Sequence, residues 1–222
     1  MKLIIGNKAY SSWSLRGWLA CKQSGLPFEE LTASLYDEDW QNLRVSDEFA
    51  PSSGKVPILW DGETVVWDSL AIIDWLGDKT DRDRFWPKGD VARGMARSMA
   101  AEMHSGYMAL RRSFPMNTRK TFEEVEVDAD VRADIVRIIT LWAEARSRFG
   151  GSGPYLFGTF SAADIMFAPI VSRFSTYGFT LPRFATTYME AIMEHPWMTE
   201  WFEAAEQEPW TIERFEHKTA QG

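Results

Sequence analysis

The sequence predicts a small α/β unit followed by an all-helical unit. Residues 1–78 alternate short apolar runs with helical stretches and carry a hairpin signal, whereas residues 90–222 place apolar side chains at helical spacing with no strand pattern. Between the two, residues 79–89 are charged and include Pro87, the composition of a linker.

Each element has its own local reason. Lys2 to Gly6 reads as a strand through Leu3, Ile4 and Ile5, and the polar run from Asn7 to Ser14 reads as a loop. Ser14 to Ser24 reads as a helix with Leu15, Trp18 and Leu19 on one face, closed by Gly25. Phe28 to Ala33 reads as a second strand, and Tyr36 to Pro51 as irregular chain with short helical turns. Pro57 to Trp60 is a third strand, headed by a proline because proline gives the ladder no donor; a cis bond is possible there. Asp61-Gly62 is a two-residue hairpin signal, Glu63 to Trp67 the return strand, and Asp68-Ser69 opens a helix through Leu70, Ile72, Ile73 and Leu76. The resulting order, β-α-β-loop-β-β-α, matches a thioredoxin-like unit.

In the second unit Val91, Met95, Met99 and Met103 fall four residues apart, and His104, Tyr107 and Met108 are read onto the same long helix. Val131, Ile135, Ile138, Trp142, Ala145 and Phe149 mark the next helix, which a glycine-rich break ends before Pro154. Ser161-Ala162-Ala163-Asp164 is a capping box, in which hydroxyl and carboxylate each satisfy the other residue's amide. Phe184 to Glu194 and Met198 to Glu206 complete a helical bundle domain, with His195-Pro196 between them.

Composition narrows the function. At 222 residues and 45% hydrophobic the chain can bury a core without staples. Its net charge of −8, spread along the chain, argues against a nucleic-acid partner. The single cysteine, Cys21, excludes an internal disulfide and fits a reducing compartment. The N-terminal apolar run is too short for a signal peptide, and no stretch is long enough to span a bilayer, so a cytoplasmic location without membrane association is expected.

The stretch Val56-Pro57, hairpin, Asp68-Ser69-Leu70-Ala71-Ile72 resembles the glutathione-binding half of the glutathione S-transferases, and the capping box Ser161–Asp164 and the two-unit plan carry the likeness over nearly the whole chain. The loop Ser11-Ser12-Trp13-Ser14-Leu15-Arg16 is similar to the Ser-Ser-x-Ser-x-Arg loop of the serine-type, zeta-like members, with Trp13 where a cysteine is common. The resemblance implies that a serine hydroxyl of this loop, Ser11 first and Ser12 second, donates to the glutathione sulfur, with Ser14 capping the helix. Tyr10 is the rival donor, since other classes use tyrosine. A free thiol is little ionised near neutral pH, so a donor to the thiolate is what the chemistry needs; such a bond is worth roughly 1.5–3 kcal/mol, about one to two pKa units. The bland reading of the same serines is a turn followed by a helix cap.

By the same resemblance the Val56 backbone pairs with the cysteinyl part of the tripeptide, Pro57 is cis, Ser69 holds the γ-glutamyl carboxylate and Asp68 faces the ammonium, where Glu or Gln is usual. Lys55 is placed to neutralise the glycyl carboxylate, or is simply a surface lysine. The electrophile pocket is expected at Met103, His104, Tyr107, Met108 and Arg173, with Met99 as plain core and a hydrogen-bonded helix histidine as the preferred reading of His104. The three histidines lack ligand spacing, so no metal is expected. The implied activity is a glutathione transferase acting on a small electrophile, as a homodimer with glutathione as co-substrate. Its alternatives are a glutathione-dependent cis–trans isomerase of the maleylacetoacetate type and a non-catalytic protein of the same fold. The isomerase pattern wants an arginine where Thr176 stands; Arg173, Arg111 or Arg112 are the substitutes.

Overall fold

The computed structural model describes residues 1–123 and 125–216; the last residues of the expected helical domain, 217–222, lie outside them. Four strands form one sheet in the order β2-β1-β3-β4: β1 (Lys2–Gly6), β2 (Glu29–Ala33), β3 (Ile58–Asp61) and β4 (Thr64–Trp67). β1 and β2 run parallel, from Lys2 opposite Glu29 to Gly6 opposite Ala33, and so need a crossover, which helix α1 (Ser12–Ser24) supplies. β3 is antiparallel to both neighbours, with Leu3 opposite Leu59 and Ile58 opposite Trp67. The alternation along β1 feeds two cores: Leu3 and Ile5 pack with α1 and α3 (Ser69–Lys79), while Ile4 packs with Ala33, Trp40, Phe49 and Ile58 on the other face. Trp40 lies on the short helix α2 (Trp40–Leu43).

The hairpin sits one residue later than the dipeptide signal suggests. Asp61 stays in the ladder opposite Thr64, and the turn is Gly62-Glu63, with Gly62 taking φ 61°. Only glycine takes that conformation freely, so its position fixes the turn.

The stretch read as a linker holds a short helix, α4 (Arg82–Phe85), and Phe85 and Trp86 are buried in the main core. The all-helical unit then runs α5 (Asp90–Ser105), α6 (Met108–Ser113), α7 (Ala129–Phe149), α8 (Ala162–Thr176), α9 (Arg183–Met193) and α10 (Pro196–Glu206). One expectation fails here. The first long helix stops at Ser105, because Gly106 turns extended and Tyr107 goes left-handed at φ 59°, so Tyr107 and Met108 belong to a new helix and not to the face of Met99 and Met103. α10 begins two residues earlier than its apolar pattern, because Pro196 suits the first helical position and His195 Nδ1 accepts from Trp197 N–H.

α8 is the hub of the helical unit and is buried on nearly every side. The capping box at its start forms as expected, and α1 lies against both α3 and α8. That seam joins the two units and frames the site. Among the described residues no helix is long and apolar enough to cross a membrane.

Candidate functional site

The turn between β1 and α1 is built from its own polar groups. Asn7 C=O accepts from Tyr10 N–H at 3.2 Å and Ser11 N–H at 2.9 Å, which turns the chain into the helix. Ser11, not Ser14, is the cap: its Oγ accepts from Ser14 N–H at 3.3 Å and donates to Ser14 Oγ at 2.8 Å. Ser14 Oγ in turn accepts from Gly6 N–H at 2.8 Å, tying α1 to the end of β1. Ser12 is different. It is the first residue of α1 and half-buried, its Oγ accepts from Arg173 Nη2 at 3.3 Å, and among the described residues no acceptor takes its hydroxyl hydrogen.

Opposite this turn lies the edge before β3. The Val56–Pro57 bond is cis, and the ladder begins only at Ile58, so the Val56 peptide stays outside the sheet pairing. Gly17 of α1 rests directly on Pro57: a Cβ at Gly17 would meet Pro57 Cβ and Cγ at 2.7 Å. Gly17→Ala is therefore expected to push the Pro57 edge away from α1, weakening binding of any ligand held along that edge by about tenfold and lowering Tm by a few degrees, in the range of overpacked sites; calorimetry and a thermal melt read both.

At the head of α3, Asp68 adopts φ 69°, a conformation few side-chain-bearing residues take, and caps Leu70 N–H at 2.8 Å. Its second oxygen lies 3.3 Å from His104 Nε2. Ser69 is buried and among the described residues its Oγ has no partner, an orphan polar atom beside the first amides of a helix. Such a group costs stability unless a ligand completes it, and the positive end of the helix favours an anion.

The seam between the units also gathers positive charge. Arg16 and Arg111 each lie 4.7 Å from the Trp13 ring, and His104 meets that ring edge-on at 5.3 Å. Arg16 is fully buried, donates through Nε to Met166 C=O at 2.9 Å, and among the described residues leaves Nη1 and Nη2 unpartnered. Burial first, then the Arg111 and Arg173 guanidinium groups, hold Arg16 well below its ordinary pKa. Burial and the Arg111 charge bring Arg173 down to about 9. None of the three forms a carboxylate ion pair among the described residues.

Of the residues expected to line an electrophile pocket, His104 meets Trp13 and Arg173 meets Ser12. Met103 is fully buried core, Tyr107 is buried with its hydroxyl donating to Glu102 Oε1 at 2.7 Å, and Met108 is 46% exposed. Lys55 is exposed and half-buried Val56 sits at the edge. Tyr10, the rival donor, is committed: its hydroxyl donates to Glu216 Oε1 at 2.6 Å and accepts from Arg119 Nη2 at 2.7 Å. Cys21 is buried, which pushes its thiol up to about 12. Nothing in the sequence marks the aromatic platform of Trp13 or the Asp68–His104 pair, and spacing alone does not distinguish Arg111 from its exposed neighbour Arg112. An apolar groove of about 500 Å³ lies elsewhere, between α7 and the chain at Val125, Val127 and Phe179–Pro182, and shares no residue with the serine turn or the Pro57 edge.

Known proteins resemble this chain in two ways. Family models described as the glutathione S-transferase N-terminal domain and C-terminal domain match residues 10–79 and 120–204, together more than half of the chain. Dichloromethane dehalogenase of Methylorubrum extorquens is 36% identical over 61 residues, a match covering 28% of this chain and about a fifth (21%) of that relative's length. Among solved structures, a Burkholderia glutathione transferase homologue with bound glutathione superposes with TM-score 0.69 at 18% identity, covering 93% of this chain and 98% of that one. The holo structure of a maleylpyruvate isomerase, described as a bacterial zeta-class glutathione S-transferase, superposes at 0.66 with 24% identity, covering 96% and 100%.

Proposed function

Since the chain belongs to the glutathione S-transferase family, we propose that it binds glutathione along the Val56–Pro57 edge and activates its thiol for attack on a small electrophile. The observation that carries this reading is the buried Ser69 hydroxyl at the head of α3, unpartnered among the described residues, across from a serine turn whose Ser12 has a hydrogen to give. In this reading Ser69 and the α3 amides take the γ-glutamyl carboxylate, and Asp68 takes the ammonium. The Val56 peptide pairs with the cysteinyl unit, and exposed Lys55 meets the glycyl carboxylate. Ser12 then donates to the sulfur while Ser11 caps the helix. The thiol proton leaves to water, the thiolate forms the C–S bond, and the leaving group departs with the electron pair. The N-terminus of α1 and the guanidinium of Arg173 both favour the charged sulfur.

A second reading, glutathione-dependent isomerisation of an anionic substrate, is favoured by one observation: Arg16, Arg111 and Arg173 cluster with no carboxylate ion-paired to them among the described residues. The expected arginine position carries Thr176, which spends its hydroxyl on Asn117 C=O at 2.8 Å, and Arg173 lies one turn earlier, facing Ser12. The maleylpyruvate isomerase named above gives this reading its precedent in the same fold.

Isothermal calorimetry tests the shared premise. Wild type is expected to bind glutathione, and Ser69→Ala to weaken it by about tenfold or more, the loss of a hydrogen bond to a charged group. No heat with millimolar glutathione would remove both readings.

A further inference from the structure

We infer that Glu208 is a positioning residue: from the far end of the helical unit, its carboxylate holds the turn that presents Ser12 to the sulfur. The inference rests on the transferase reading. Both oxygens of Glu208 are engaged by consecutive amides of that turn, Lys8 N–H at 2.7 Å and Ala9 N–H at 3.1 Å. These amides follow the last ladder residue of β1, Gly6, so the sheet does not supply their acceptors. The remaining groups of the turn are held from the same side. Trp201 Nε1 of α10 donates to Lys8 C=O at 3.1 Å, and Thr118 N–H donates to Ala9 C=O at 3.0 Å.

Glu208 itself is fixed. Arg119 donates to its backbone carbonyl at 2.9 Å and to that of Trp210 at 2.6 Å, while reaching the Tyr10 hydroxyl with the same guanidinium. Tyr10 passes the connection to Glu216, which also accepts from Asn117 Nδ2 at 2.9 Å. Chain from Glu208 to Glu216 thus lies across residues 8–10, with Ile212 and Phe215 packed against Ala9 and Tyr10. The turn bearing the serines belongs to the α/β unit, but its first two amides, those of Lys8 and Ala9, are satisfied by Glu208 beyond α10. A shift of that turn moves Ser12, the first residue of α1, relative to Pro57, which is anchored separately through Gly17. A misplacement near 1 Å costs about a hundredfold in well-organised sites, and a softened turn costs less.

The test compares Glu208→Ala and Glu208→Gln with wild type. Gln keeps one acceptor and turns an amide donor toward the other N–H. Three quantities are read: glutathione Kd by calorimetry, the apparent pKa of the bound thiol from thiolate absorbance near 240 nm, and kcat against KM with 1-chloro-2,4-dinitrobenzene. Ala is expected to lower kcat at pH 7 about tenfold, to raise the bound thiol's pKa by about one unit, and to leave Kd within about threefold; Gln falls between, and high pH restores the rate. Wild-type kcat and thiol pKa in both variants overturn the inference, as does a loss that high pH does not restore and that follows Tm. A wild-type protein with no thiolate band at saturating glutathione would instead remove the transferase reading itself, and the inference with it.

Discussion

Ser12→Ala is expected to lower kcat with glutathione and a generic electrophile by about ten- to a hundredfold at pH 7, with Kd for glutathione changed less than about threefold. The magnitude follows from the bond removed. A donor to a thiolate contributes roughly 1.5–3 kcal/mol, all of it to the charged form, so its loss raises the thiol pKa by about one to two units and leaves the tripeptide's carboxylate contacts intact. The arrangement predicts a contrast with Ser11→Ala. The Ser11 hydroxyl is spent on Ser14, so its removal takes away a helix cap, about 1 kcal/mol of stability, and a smaller part of the rate. Tyr10→Phe should leave the thiol pKa unchanged, since that hydroxyl already lies between Glu216 and Arg119. Thiolate absorbance against pH, measured on the three variants, separates the roles. A thiol pKa that moves in Ser11→Ala and stays in Ser12→Ala would exchange the roles of the two serines.

That contrast also marks what the sequence could and could not disclose. Local signals survive folding because each is decided within a few residues: the apolar strand from Lys2, Gly25 as the stop of α1, the capping box at Ser161, and the Val56-Pro57 edge. The choice between Ser11 and Ser14 as cap is not local. Both precede apolar residues, and what decides is the Gly6 N–H at the end of β1, which takes Ser14 Oγ as its acceptor. Gly106 is similar. A glycine in a helical pattern is often tolerated, and only the onward path into α6 shows that this one breaks the helix and carries Tyr107 and Met108 off the expected face. The clustered arginines come from three separate elements, α1, α6 and α8, and nothing in their spacing announces that they meet around Trp13 and Ser12. Glu208 is the extreme case, since 200 residues separate it from Lys8.

The largest stability effect should come from Asp164, far from the chemistry. Its buried carboxylate accepts from Leu156 N–H at 3.0 Å, Ser161 N–H and Oγ at 2.9 Å, and Tyr188 Oη at 3.1 Å. Asp164→Ala leaves those donors buried without an acceptor and is expected to cost about 3–5 kcal/mol, about 10 °C in Tm for a chain of this length. Tyr188→Phe, which removes a single donor, should cost about 1 kcal/mol and provides a graded check if the alanine variant does not fold. The pH dependence has a definite sign. Burial raises the Asp164 carboxyl from 3.8 to about 6, against the pull of its four hydrogen bonds. A carboxyl raised in the folded state holds its proton where the unfolded chain has lost it. The stability tied to the protonated form is therefore complete below about pH 4 and lost as pH rises through about 6, a change of up to about 3 kcal/mol. Asp164→Asn cannot titrate. The stability gap between wild type and this variant, taken from urea melts, should accordingly be larger at pH 4.5 than at pH 7.5, and because every other group is common to both proteins it cancels from the comparison. A gap that widened toward pH 7.5 would mean that the four donors outweigh burial and keep the carboxylate ionised throughout.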